Sequence, residues 1–259
     1  MTYCVAIKVN DGLVFAADTR TSAAVDDVRT YNKVHTFEFP GDRIFIVMSA
    51  GNLATTQAIL AQLQRDLDSG PQVVSLRSVR HMYDAAEYLG VLSVRSQKHV
   101  QAEGATPVVD FRTTLILGGQ IQNEAPAAYL VYPEGNCIAC SPETPYLQIG
   151  ELKYGKPILD RVIRGETSLE DAARCALVSL DSTMRSNISV GPPLDLAIVP
   201  GGALRVSRRM RLDLDTPYYA QLREAWGRNI LNGFRNLPRF DWEQSNFQQA
   251  AQSQQQNQQ

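Results

Sequence analysis

The sequence predicts an α+β fold of stacked layers, and three observations predict it. Strand-length apolar runs come in groups, helical stripes come in groups, and no regular strand–helix–strand alternation runs through the chain. At 259 residues, with 44% apolar and 20% charged side chains, the chain can bury a large core, and no internal repeat or linker divides it.

The elements follow in order. Two β-rich runs, Thr2–Val9 and Leu13–Arg20, flank Asn10-Asp11-Gly12, a strong hairpin signal. A turn centred there puts the residue opposite Thr2 at about position 19 to 21, so Asp18 falls within a residue or two of the chain start. Thr30–Phe39 has β character, and Arg43–Ala50 is a continuous apolar run of the kind found where both faces of a sheet are covered. After the break at Gly51-Asn52, Leu53, Ala54, Ile59, Leu60, Leu63 and Leu67 are spaced for one helix face, and a second helix is expected from about Ser78 to Lys98. Thr113–Gly118 and Ala127–Tyr132 read as strands, with Pro133–Asn136 turning the chain into Cys137–Cys140. Ser168 opens a helix whose box has Asp171 at its fourth position, with an apolar face through Ala172, Cys175, Ala176, Ser179 and Leu180. Leu194–Val199 is a further strand.

Beyond it, Asp215-Thr216-Pro217 opens a helical stripe of Tyr219, Leu222, Trp226, Ile230 and Phe234, which is either core or subunit interface. From Gln244 onward the chain is glutamine-rich, a disordered tail by composition. The expected division is a main domain over 1–212, a helical extension over 213–243 and the tail over 244–259.

The balance of 25 basic against 27 acidic side chains gives a net charge of −2, which leaves no electrostatic footprint for nucleic acid or an anionic membrane. No apolar run reaches the roughly 18 to 20 residues of a membrane span, and no secretory signal is seen. Cys4, Cys137, Cys140 and Cys175 make no metal framework, and His35, His81 and His99 are scattered, so no metal or cofactor is assigned. The C-x-x-C of Cys137 and Cys140 lies in a strand and turn, where inert thiols are expected. A reduced, cytoplasmic chain is the simplest reading.

Chemistry is expected at the chain start. Threonine is small enough for removal of the preceding methionine, and Thr2 would then carry its own base, an α-amine with a pKa of about 7.7–8.0. Its company is Asp18, brought up by the hairpin in Ala16-Ala17-Asp18-Thr19-Arg20, and Lys33 on the next β-type stretch. A buried ammonium beside the hydroxyl favours its deprotonated form, and a carboxylate beside that ammonium holds it charged.

An N-terminal Thr, a hairpin, the A-A-D-T-R block, Lys33 and an apolar strand ending in Ser49-Ala50-Gly51 ahead of a helix resemble the β-subunit pattern of the proteasome superfamily of N-terminal-nucleophile hydrolases. The opening residues and the long C-terminal extension are most similar to the bacterial proteasome-like group called Anbu. The resemblance covers Thr2 to Val199 and implies a four-layer αββα sandwich, two face-to-face sheets with helices outside. It implies Thr2 as nucleophile, Asp18 and Lys33 as the pair that tunes it, the Gly51 N–H as oxyanion donor, Ser49 in the substrate pocket and Asp181 near the N-terminal amine. It further implies a threonine-type peptidase in a self-compartmentalising homo-oligomer acting on peptide or protein, with an ATP-driven unfoldase partner left unassigned. A non-catalytic assembly subunit and an amidase for a small substrate are the alternatives.

Two positions depart from the pattern. A Gly-Ser-Gly is expected after Gln148-Ile149-Gly150, where this chain continues Glu151-Leu152. The serine expected three residues after Asp181 is Met184, so a substitute has to come from Ser182, Thr183 or Ser186. Glu151 is either an ordinary surface residue or a carboxylate near the amine, where it would raise the amine's pKa.

Overall fold

A computed structural model describes residues 1–24, 27–103 and 110–243. The Gln-rich tail predicted from Gln244 lies outside the described residues. The chain opens with β1 (Tyr3–Val9) and β2 (Gly12–Asp18), then a small two-stranded ribbon, β3 (Arg20–Ala24) and β4 (Asp27–Thr30). Next come β5 (Val34–Phe39), β6 (Arg43–Gly51) and the helices α1 (Leu53–Asp68) and α2 (Met82–Glu103). The strands β7 (Thr113–Ile121), β8 (Ala127–Val131), β9 (Cys137–Ala139) and β10 (Tyr146–Gly150) follow. The helices α3 (Lys156–Val162) and α4 (Leu169–Ser186), strands β11 (Leu194–Pro200) and β12 (Arg208–Leu212) and helix α5 (Pro217–Arg235) complete it.

Ten of these strands form two five-stranded antiparallel sheets, ordered β10-β1-β2-β11-β12 and β5-β6-β7-β8-β9. They stack face to face. Cys4, Leu13, Phe15 and Ile149 of the first meet Ile46, Met48 and Ile116 of the second in the central core. The outer face of the first sheet buries Val5, Ile7, Val14 and Ala16 against Ala172, Ala176 and Leu180 of α4. That of the second buries Phe45, Val47, Leu115 and Leu117 against Ile59 and Leu63 of α1 and Ala85 and Leu89 of α2. The layers are therefore α, β, β, α, as expected. Both faces of each sheet are covered, which explains why β1, β2 and β6 read as unbroken apolar runs.

The hairpin has the register that its turn residues predict. Val9 faces Gly12 and Cys4 faces Ala17 across a turn at Asn10-Asp11, so the pairing extrapolates to Thr19 opposite Thr2. Two helix starts are fixed by side chains. The Asn52 side chain accepts from the Thr55 N–H, and the Ser168 hydroxyl accepts from the Asp171 N–H at 3.1 Å while donating to its carboxylate at 2.9 Å.

Three elements carry no periodic signal. Helix α3 is only seven residues long, β12 exposes four of its five side chains, and β3 is short and polar. The stripe on α5 divides. Tyr219 is buried and Leu222 packs against the core of the first sheet, whereas Ile230 and Phe234 are 52% and 70% exposed. Only its first turns are core.

Candidate active site

The site forms where the start of β1 meets the end of β6. Thr2 stands just ahead of β1, and with Lys33, Ser49 and Gly51 it lines a cavity of about 230 Å³ roofed by Thr56 and Leu60 of α1. A second cleft, about 470 Å³, runs from Thr2, Met1 and Gly51 past Arg112 to Gly150. Thr2 therefore stands between two openings, a narrow pocket on one side and a wider groove on the other.

Asp18 and Lys33 lie behind it as a buried pair. Asp18 is 0% exposed and Lys33 5%, and the Lys33 Nζ donates to Asp18 Oδ1 at 2.7 Å. Among the described residues, the rest of their hydrogen bonding is backbone. Oδ1 also accepts from the Tyr3 N–H at 3.0 Å, Oδ2 accepts from the Gly191 N–H at 3.2 Å, and Lys33 Nζ donates to the Arg20 carbonyl at 2.6 Å. Burial pushes the Asp18 carboxyl above the usual carboxylate range, against the opposing pull of Lys33 and these N–H groups. Because Tyr3 directly follows Thr2, the carboxylate fixes the backbone on which Thr2 hangs.

Two glycines make the approach possible. Gly51 has φ +120°, and a Cβ there would come within 2.5 Å of the Arg112 carbonyl. Gly150, at φ +87°, is paired with Tyr3, and a Cβ there would overlap the Thr2 carbonyl. The next residue then donates its N–H to that same carbonyl, Glu151 to Thr2 at 2.7 Å. Ser49 is 7% exposed, and its carbonyl accepts a long 3.7 Å contact from the Cys4 thiol, which burial pushes up to about 12. Cys4 is thus a core residue, not a competing nucleophile.

The model of the proteasome subunit family matches residues 2–199. The chain belongs to the proteasome subunit family. Within it the likeness is to Anbu proteins: Anbu from Yersinia bercovieri is 44% identical with a TM-score of 0.86, covering 93% of this chain and all (100%) of that one. The helical assembly of the Anbu complex from Pseudomonas aeruginosa is 42% identical with a TM-score of 0.84, covering 92% of this chain and 98% of that one. Proteasome subunit beta 2 of Pyrobaculum neutrophilum is more distant, 24% identical over 208 residues that cover 78% of this chain and 90% of that protein.

One residue expected at this proteasome-family site is elsewhere. Asp181, 1% exposed, gives Oδ2 to Arg185 Nε at 2.8 Å and Oδ1 to Arg223 Nε of α5 at 2.6 Å. The reason is helical geometry: Ser179, bonded to the Tyr3 hydroxyl at 2.5 Å, faces the first sheet, and two residues on at about 100° per residue the side chain points away from it. The face that carries Ser179 runs on through Thr183, at four-residue spacing, to Asn187, the C-cap of α4. There the Asn187 Nδ2 donates to Glu151 Oε2 at 3.0 Å. Of the three substitutes considered for the missing serine, Thr183 spends its hydroxyl on the Ser179 carbonyl at 2.9 Å, Ser186 is exposed and Ser182 is half-buried. Asn187, not Asp181, ends the helix beside Glu151.

Asn187, Gly150 and Gly191 were not singled out from the sequence as site residues. The signal for the first was its pairing with a departure, since a carboxylate in place of serine calls for a different partner across the gap. Gly191 announces itself only through a backbone N–H, which no side-chain motif records.

Proposed function

We propose that this chain is a threonine-type peptidase or amide hydrolase in which removal of Met1 frees Thr2 as nucleophile. The observation that carries the reading is the buried Asp18–Lys33 pair against the backbone of a threonine that lines two clefts. Thr2 Oγ1 attacks the carbonyl carbon of an amide while its own α-amine, directly or through one water, takes the hydroxyl proton. The Lys33 ammonium favours the alkoxide, and the Gly51 N–H stabilises the tetrahedral oxyanion. The amine then gives its proton to the leaving nitrogen as the C–N bond breaks. Water, deprotonated by the same amine, cleaves the resulting ester and restores Thr2. The pocket beside Ser49 takes the side chain that precedes the cleaved bond.

The active form is proposed to be a homo-oligomer, with 213–243 as its assembly device. What supports this is the helical assembly of the relative from Pseudomonas aeruginosa and the apolar surface left bare on the extension. Phe240 and Trp242 stack at 4.3 Å between ring centroids yet are 62% and 64% exposed. A sedimenting mass of one chain across the micromolar range would remove this part.

Intact mass of the untagged chain followed by a peptide epoxyketone, which captures an N-terminal nucleophile through both hydroxyl and amine, tests the chemistry. The expected result is a chain lacking Met1, one adduct on Thr2, and no adduct in Thr2→Ala. A chain without Met1 that assembles but takes no adduct makes it the assembly subunit that Glu151, standing where the pattern expects serine, favours.

A further inference from the structure

Glu151 is a buried carboxylate without a cation. It is 6% exposed, Oε2 accepts from Asn187, and Oε1 has only a long 3.4 Å contact from the Lys153 N–H. Among the described residues no lysine, arginine or histidine pairs with it, whereas Asp18 has Lys33 and Asp181 has two arginines. Taking a carboxylate out of water is costly unless a charge of opposite sign comes with it. Its own N–H is bonded to the Thr2 carbonyl, and Gly150 beside it is pressed against Thr2, so the nearest backbone to Glu151 across the strand pair is that of Thr2 itself. While Met1 is present the Thr2 nitrogen is a neutral amide. On its removal a positive charge appears there.

We propose that Glu151, oriented by Asn187, is the counter-ion of the α-ammonium of Thr2: a positioning residue that anchors the new N-terminus and sets the pH at which it becomes a base. The proposal rests on the reading of Thr2 as the free N-terminal residue. The other charges around that amine are largely spoken for. Asp18 and Lys33 offset one another from β2 and the segment before β5, and Asp110 and Arg112 do so across the wider cleft, at 3.0 Å. Arg20 is turned onto the Ile188 carbonyl at 2.7 Å, and Lys153 is exposed. A carboxylate against the ammonium stabilises the charged form, so the amine's pKa rises and less of it is free as a base at neutral pH. The departure from serine thus shifts the chemistry toward alkaline pH without abolishing it.

The test is a titration of the amine itself. The full chain is prepared as a fusion whose cleavage leaves Thr2 first, and the rate of acetylation of its α-amine by trace acetic anhydride is followed against pH by mass spectrometry of the N-terminal peptide. The expected midpoint lies above the roughly 7.7–8.0 of an ordinary α-amine. Glu151→Gln should lower it by about one pH unit, giving about tenfold more neutral amine at neutral pH. Asn187→Ala, which leaves the carboxylate in place but unheld, should lower it by less, and serves also if the first variant does not fold. Equal midpoints in the wild-type chain and the folded variants overturn the proposal. The two readings fail separately: a midpoint that moves with Glu151 in a chain whose Thr2 takes no epoxyketone leaves the pair standing without the hydrolase, and an adduct with an unmoved midpoint does the reverse.

Discussion

Asp18 and Asp181 are both carboxylates almost sealed from water, at 0% and 1% exposure, and both meet cationic side chains, yet they do different work. Asp18 binds a lysine that is itself buried, and its remaining partners are backbone N–H groups of Tyr3 and Gly191. Asp181 binds two arginines whose side chains reach solvent, 61% exposed for Arg185 and 27% for Arg223, and it joins α4 to α5. Burial and residue type are shared. What separates them is the partner set: a rigid, desolvated pair can hold a fixed field beside a nucleophile, whereas long arginines on a rim fasten one helix to another.

The largest effect should come from breaking the first pair. Asp18→Asn leaves the Lys33 ammonium buried without its counter-charge, which costs about 3–5 kcal/mol. On the proposed chemistry it also slows adduct formation at Thr2 by about 10²–10³-fold, the scale of losing one preorganised electrostatic group. Urea unfolding and the epoxyketone rate read the two losses, and a folded variant labelled at the wild-type rate would place Asp18 outside the chemistry. A milder perturbation is acid. Because burial raises the Asp18 pKa above its ordinary 3.8, the carboxylate picks up its proton earlier on acidification than an exposed one. The sign matters: a raised folded value means that the ionised form is penalised by folding, so protonation relieves that penalty while it removes the charge that orients Lys33. Protonation of the Thr2 amine already lowers labelling about tenfold per pH unit below its pKa, and titration of Asp18 should add a further, steeper and reversible fall at a pH above the ordinary carboxylate range, before unfolding. A decline that keeps the slope of the amine alone until the chain unfolds would uncouple the pair from Thr2.

The same contrast shows how much the sequence discloses. The hairpin register that brings Asp18 to the chain start follows from Asn10-Asp11 and the alternation around it, which are local, so the approach of Asp18 was legible with the layers of the fold, whereas Gly51 was named through the family resemblance. Asp181 was assigned by likeness of a short segment. Its side chain turns on a helix phase that a few residues of sequence do not fix, and on Arg223 of α5, forty-two residues away, for which no motif exists. Asn187 escaped for a related reason: a helix C-cap is recognised by where the helix stops, and boundaries are the least certain part of any such reading. The second half of α5 had the right periodicity for a buried face and, among the described residues, lacks the neighbour that would bury it.

The smallest effect on chemistry should come from the second aspartate. Asp181→Asn keeps the shape and removes the charge that Arg185 and Arg223 share. Since both arginines reach water and can be resolvated, the stability loss should be about 1–2 kcal/mol, well under that of Asp18→Asn. Arg223→Ala should cost a similar amount through the same contact and through its stacking over the Tyr219 ring, at 5.7 Å. If Asp181 acts by fastening α5, the double variant costs less than the sum of the singles, because either one already releases the helix. Adduct formation at Thr2 in the folded variants should stay within about twofold of wild type, since neither side chain reaches the site. Additive losses would mean that Asp181 supports something other than α5, and a labelling rate that collapses with Asp181 but not with Arg223 would return this carboxylate to the N-terminal amine.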